Sequence, residues 1–318
     1  MQQKQKNNFA WLILIIAVIS SFFIFQQLVK EEKANSVKPV KQSVKSKQQK
    51  LTQFPNESLL ILAGAASKPP TEELAQAFQR KTGAQVNINF GGSGKMLADL
   101  KLAQKGDIFF PGSSDWMEVA KRDKVIDPKT EKRVVYLVNA INVQKGNPKG
   151  IKSLKDLLRP DVKVAIANPE TVCVGSYAVE LLEKNFTPQE QEKFRKNNLV
   201  TYLESCEKTA NAISFKTVDA VIGWSVFASW DPQRIETIKL DATSLSRIGY
   251  IPIAITKYAK NKRLAKAFID FVTSKEGLAV FKKHGYFITA KEAQNYIGTQ
   301  KPLPVGGWFD VPKEWLQP

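Results

Sequence analysis

Histidine occurs once in this 318-residue chain, at position 284, and cysteine twice, at 173 and 206. So few soft ligands exclude a zinc centre built from several cysteines and histidines. The same scarcity leaves serine chemistry without a base. His284 sits in a His284-Gly285-Tyr286 turn far along the chain from the serines discussed below and reads as a surface or capping residue, and Ser214-Phe215-Lys216-Thr217 does not have the Ser-x-x-Lys spacing of a lysine-assisted nucleophile. No isolated carboxylate pair stands out, so no catalytic residue, metal or cofactor is assigned and an enzyme is not expected. Negative charge is also in short supply: 30 Asp and Glu face 47 Lys and Arg, a net charge of +17. Such a chain attracts anions, anionic lipid or nucleic acid. It carries no nucleic-acid fold signature and no arginine-rich helix, so nucleic acid is not an expected partner.

There is one long hydrophobic run. Residues 9–25 are almost continuously apolar and, with Gln26, Gln27, Leu28 and Val29, approach the roughly 20 residues that span a bilayer. Lys4 and Lys6 precede the run, no small-x-small cleavage site follows it, and no cysteine there could be lipidated. Residues 1–29 therefore read as an uncleaved signal anchor, with a cleaved signal peptide as the rival. Lysines flank both ends of the run, so charge does not set its orientation. Residues 30–57 are Lys, Gln and Ser with little to bury, as in a flexible basic tether facing lipid head groups or an anionic cell wall. The folded body starts near Ser58.

Its organising stretch is Phe90-Gly91-Gly92-Ser93-Gly94-Lys95-Met96-Leu97. An alternating run, Val86 to Phe90, predicts a strand, and Leu97 and Leu100 begin a helical spacing. A strand-to-helix turn of glycines lets backbone approach a ligand, and the free N–H groups of a helix start favour anions. A nucleotide P-loop is excluded because Asn89 stands where its first glycine belongs and Met96 where its Ser or Thr belongs. A tight turn with no ligand remains the plain alternative. Upstream, Ser58–Ser67 predicts a buried parallel strand, Pro69 and Pro70 mark a helix entrance, and Ser67 becomes a second serine at such a turn. Two such turns on adjacent parallel strands aim both helix starts into one crevice, where open α/β sheets bind ligands.

Taken in order, Ala65-Ala66-Ser67, Lys81-Thr82-Gly83, Phe90–Gly94, Gly106–Met117, Ala165–Ala178, Val218–Trp224, Phe268–Phe271 and His284-Gly285-Tyr286 resemble the molybdate/tungstate-binding proteins of ABC importers, over residues 58 to 290. The resemblance implies a type II periplasmic-binding-protein fold: two α/β domains, each a mostly parallel sheet flanked by helices, with two crossing strands as hinge. It implies one domain of residues 58–135 plus 251–290, a second of 136–249, and crossings near Val134–Val143 and Tyr250–Ile255. A helix is expected at Ile151–Leu158, and the tail, 291–318, lies outside the resemblance. By position, Ser67 and Ser93 match the family's two serines, Gly92 lies in the same turn, Val174 and Cys206 fall at main-chain donor positions, and Trp224 replaces a tyrosine.

What the resemblance implies is a membrane-tethered, extracytoplasmic protein that closes by hinge motion on a tetrahedral oxyanion, molybdate or tungstate first, and hands it to an ABC permease. The chain also departs from the family. Trp224 donates one hydrogen bond but accepts none, and two cysteines lie at the ligand turns. Cys173 and Cys206 form a disulfide there or remain two free thiols, redox-sensitive or metal-binding. Lys68 and Lys95 beside the serines either strengthen anion binding or face solvent. The departures keep two alternatives open: the same fold with another anion (phosphate, sulfate or a small organic anion), and an anchored sensor or interaction protein with a degenerate cleft.

Overall fold

The computed structural model describes residues 53–299 and 301–316, all within one unit, Lys50–Pro318. The expected anchor and the tether up to residue 52 lie outside the described residues. Among the described residues no helix is long and apolar enough to cross a membrane.

The chain begins with β1 (Ser58–Gly64), buried along most of its length, which passes through a single 3-10 turn, Ala65–Ser67, into α1 (Lys68–Thr82). A proline opens α1 and Gly83, at φ 75°, closes it in the left-handed region that a side chain disfavours. Next come β2 (Gln85–Gly91), α2 (Ser93–Ala103), β3 (Ile108–Phe110), α3 (Ser114–Arg122) and β4 (Lys132–Leu137). In β2 the half-buried Val86, Ile88 and Phe90 alternate with exposed polar residues, as its edge position requires.

At Val138 the chain leaves the first sheet. It enters β5 (Asn139–Gln144), then β6 (Val164–Ala167), α4 (Cys173–Asn185), α5 (Pro188–Lys193), β7 (Leu199–Leu203), α6 (Cys206–Ser214), β8 (Ala220–Trp224), α7 (Phe227–Trp230) and β9 (Ile235–Lys239). It returns as β10 (Gly249–Ile255), followed by α8 (Lys262–Val272), α9 (Lys275–Lys283) and α10 (Ala290–Ile297). The helix expected over Ile151–Leu158 is only a 3-10 turn, Leu154–Leu158. Its Ser153/Asp156 capping box starts it, but Pro160 forces Arg159 out of helical geometry before a full α-turn can form.

The two sheets share one plan. The first has the order β2-β1-β3-β10-β4 and the second β7-β6-β8-β5-β9. In each, four strands run one way and only the inserted strand, β10 or β5, runs against them. The inserted strand is the one that arrives directly from the other sheet, so it enters from the opposite end. The C-terminal ends of β1, β2, β6 and β8 consequently face each other across the lobe boundary.

The tail that the sequence left unexplained is tied down. Val305 bridges Ile248 in parallel, and the Ile248 N–H donates to the Pro304 carbonyl at 2.9 Å. Trp315 is fully buried beside Phe194 and under the Arg195 guanidinium, and its indole N–H donates to Glu183 at 2.6 Å.

Candidate functional site

Both predicted serines lie at the lobe boundary, almost without solvent contact. Ser67 ends the 3-10 turn after β1, and its hydroxyl accepts a hydrogen bond from Thr71 at 3.1 Å. Ser93 starts α2, and its hydroxyl accepts from the Gly112 N–H at 2.9 Å. The turns approach closely because glycines permit it. A Cβ on Gly112 would stand 2.6 Å from Cys173 Sγ and 2.7 Å from Ala66 Cβ, so only hydrogen fits there.

The second lobe answers with helix starts of its own. Cys173 and Val174 are the first residues of α4, Cys206 is the first of α6, and Trp224 ends β8. All four are buried. The Cys173 and Cys206 sulfurs are 3.5 Å apart and not joined by a disulfide, the free-thiol arrangement of the two left open by the sequence. A disulfide would need about 2.05 Å between the sulfurs.

Burial, and then Cys173 beside it, push the Cys206 thiol well above its usual pKa; the Val174 N–H and the Trp224 indole N–H, both aimed at it, oppose this only in part. Trp224 Nε1 nevertheless closes no hydrogen bond, although it is fully buried against Tyr177 in an edge-on stack 4.9 Å between ring centres. Trp230 Nε1 is likewise buried without a bond. It faces Tyr286, whose hydroxyl donates to the Ala66 carbonyl at 2.6 Å and is pushed up in pKa chiefly by burial. Two unpaired indole donors in a dry region cost free energy unless something accepts from them.

The lobes meet in a closed arrangement. The Gly94 N–H donates to the Thr171 carbonyl at 2.9 Å, and a Cβ on Gly92 would lie 2.9 Å from both the Thr171 and Glu204 carbonyl oxygens. At the rim Lys68 pairs with Glu207 at 2.7 Å, whereas Lys95 faces solvent and pairs with Asp99 on its own helix. A buried arginine, which sequence reasoning missed, ties the lobes together elsewhere. Arg247 donates to both Asp115 oxygens, at 2.9 and 3.0 Å, to Glu180 at 2.7 Å, to the Tyr177 hydroxyl at 3.1 Å and to the Gly307 carbonyl of the tail at 2.6 Å. Asp115 lay inside a recognised segment, but nothing in the sequence links it to position 247. Tyr286 and Trp230 were also passed over, since neither sits at a strand-to-helix turn. Among the described residues no group of three or more Cys, His, Asp and Glu could hold a metal ion.

Residues 59–287 match the family model described as bacterial extracellular solute-binding protein. The chain belongs to that family. As a solute-binding protein it is 26% identical, over 233 residues, to the molybdate-binding protein ModA of Rhodobacter capsulatus, covering 71% of this chain and 87% of that one. Its fold matches the periplasmic molybdate-binding protein of Azotobacter vinelandii with a TM-score of 0.63 at 16% identity, over 73% of this chain and 99% of the other. It also matches the sulfate-binding protein SubI of Mycobacterium tuberculosis with a TM-score of 0.67, again at 16% identity, over 79% and 94%. The α/β architecture of two flanked sheets is thus that of the periplasmic solute-binding proteins.

Proposed function

We propose that this solute-binding protein captures a tetrahedral oxyanion, molybdate or tungstate first, between its lobes and delivers it to an ABC permease outside the cytoplasm, held at the membrane by the apolar segment 9–25. One observation carries the reading: two buried serine hydroxyls, Ser67 and Ser93, and the starts of α4 and α6 converge on one buried region with the unbonded Trp224 N–H. Removing a divalent anion from water is costly unless many donors meet its oxygens. Uncharged donors at helix starts do so without a buried counter-charge. Gly92, Val174 and Cys206 would offer main-chain N–H groups and Trp224 its indole N–H. Ligand contacts made only when the lobes meet would favour the closed arrangement.

A second reading keeps the fold and changes the anion to sulfate, phosphate or a small organic anion. It is favoured by Trp224, whose bulk and lack of an acceptor change the cleft.

Thermal unfolding of the full-length chain with molybdate, tungstate, sulfate, phosphate and chromate added separately tests both. A bound anion stabilises the fold by about 2.7 kcal/mol at a hundred times its dissociation constant. Shifts confined to molybdate and tungstate support the first reading, and shifts with sulfate or phosphate alone support the second. No shift with any of them overturns both.

A further inference from the structure

Neither serine, nor any helix start, needs a thiol beside it to hold an oxyanion, yet the cleft contains two. Cys173 Sγ lies where a Cβ on Gly112 of the opposite lobe would touch it, and Cys206 Sγ lies 3.5 Å further on, with Val174 N–H and Trp224 N–H aimed at it. One atom bridging two sulfurs through bonds of about 2.3 Å at a tetrahedral angle holds them about 3.8 Å apart. The observed spacing is within a few tenths of an ångström of that value and far from disulfide bonding distance. The two thiols hydrogen-bond to each other at this spacing, and a shared ligand atom would span it with little movement of either sulfur.

The surroundings narrow the ligand. Burial and the neighbouring Cys173 favour the neutral form of the Cys206 thiol, and no carboxylate or histidine joins the two cysteines in a metal-holding group among the described residues. A soft metal cation needs thiolates and would leave protons and charge to be placed in a dry cleft. A neutral trivalent oxyacid does not.

We propose that Cys173 and Cys206 form a dithiol site in the cleft for a thiophilic trivalent oxyacid of the arsenous-acid type. The step is a condensation: As(OH)3 reacts with two S–H groups, two As–S bonds form, two As–O bonds break, and each departing hydroxyl leaves as water with a thiol proton. Arsenic stays trivalent, so no oxidant or reductant takes part. The remaining As–OH oxygen is an acceptor for the otherwise unbonded Trp224 N–H. The proposal rests on reading the space between the lobes as the ligand cleft, and it adds a ligand class to that cleft.

The test uses the full-length chain, reduced and kept free of oxygen, with arsenite and with phenylarsine oxide, a probe that bridges thiol pairs. One equivalent of phenylarsine oxide is expected to remove both thiols from reaction with a disulfide reagent, a dithiol but not a monothiol is expected to reverse it, and arsenite is expected to raise the unfolding temperature. Cys173→Ser, Cys173→Ala and Cys206→Ser are each expected to weaken arsenite binding by at least about a hundredfold, because the second, intramolecular bond is lost; circular dichroism reports whether each variant folds. Thiols that stay reactive under both arsenicals, or arsenite binding that survives in a folded single-cysteine variant, overturn the proposal. So does a chain whose two cysteines are always recovered as a disulfide. If molybdate or tungstate stabilises the chain and arsenite does not, only the dithiol site fails; if arsenite binds and no tetrahedral anion does, the dithiol site stands and the oxyanion reading fails.

Discussion

Gly92→Ala places a wedge between the lobes without disturbing either. Gly92 has φ −61° and ψ 138°, an extended conformation that alanine adopts freely, so its own backbone is not strained. The added Cβ would instead stand 2.9 Å from the carbonyl oxygens of Thr171 and Glu204, both on the opposite lobe, where ordinary contact begins near 3.4 Å. Two backbone atoms cannot swing aside as a side-chain end can. Overpacking of this kind costs about 1–3 kcal/mol, and separation of the lobes relieves it. The closed form is therefore penalised and the open form is not, which alters their ratio by about 5- to 150-fold.

The thiols report the ratio directly. Cys173 and Cys206 are each 1% exposed in the closed form, with Cys173 covered by Gly112 from the other lobe, so a thiol reagent reaches them only on opening. The reaction rate of the unliganded full-length chain at fixed pH should rise by the same 5- to 150-fold in Gly92→Ala. Gly91→Ala is the matched control, because its Cβ would meet only the flexible end of Met96, at 3.0 Å, within its own lobe. Equal thiol rates in Gly92→Ala and the unaltered chain would refute the argument, as would an equal rise in Gly91→Ala.

Four further outcomes follow from the same geometry. Ser67→Ala and Ser93→Ala should each weaken binding of whichever oxyanion stabilises the chain by about 10- to 150-fold, the loss of one hydrogen bond to a charged group, read by calorimetry on variants with unchanged circular dichroism. Arg247→Ala leaves Asp115 buried without its partner and should cost about 3–5 kcal/mol in urea unfolding. Trp315→Ala should cost a similar 3–5 kcal/mol in the same assay, since the tail's anchor is fully buried. The buried Tyr177 and Tyr286 are held well above the ordinary tyrosine pKa by burial first of all. Raised folded values mean stability that is complete below about pH 10 and declines as pH rises past the unfolded value; urea titrations from pH 8 to 11 should show the decline, and Tyr286→Phe should make it shallower.

Much of the architecture could be read along the chain because it rests on local chemistry. The alternation of Val86, Ile88 and Phe90, the glycine that stops α1 and the prolines that open it act within a few residues of themselves. The two serine turns were legible for the same reason, since a strand running into glycines and then a helix is a local pattern. The short turn at Leu154–Leu158 was over-read as a helix because its capping box is a genuine start signal while its length is set by Pro160.

The sequence by itself determined the β2 alternation, the two serines at strand ends and the basic charge, since each follows from residue type and short-range spacing. Tertiary structure alone decided what meets across the lobe boundary. It brought Cys173 against Gly112 of the other lobe, and Arg247 onto Asp115, 132 residues away. Contacts at such separations depend on how two sheets with reversed inserted strands face each other, and no local pattern of side chains encodes that distance.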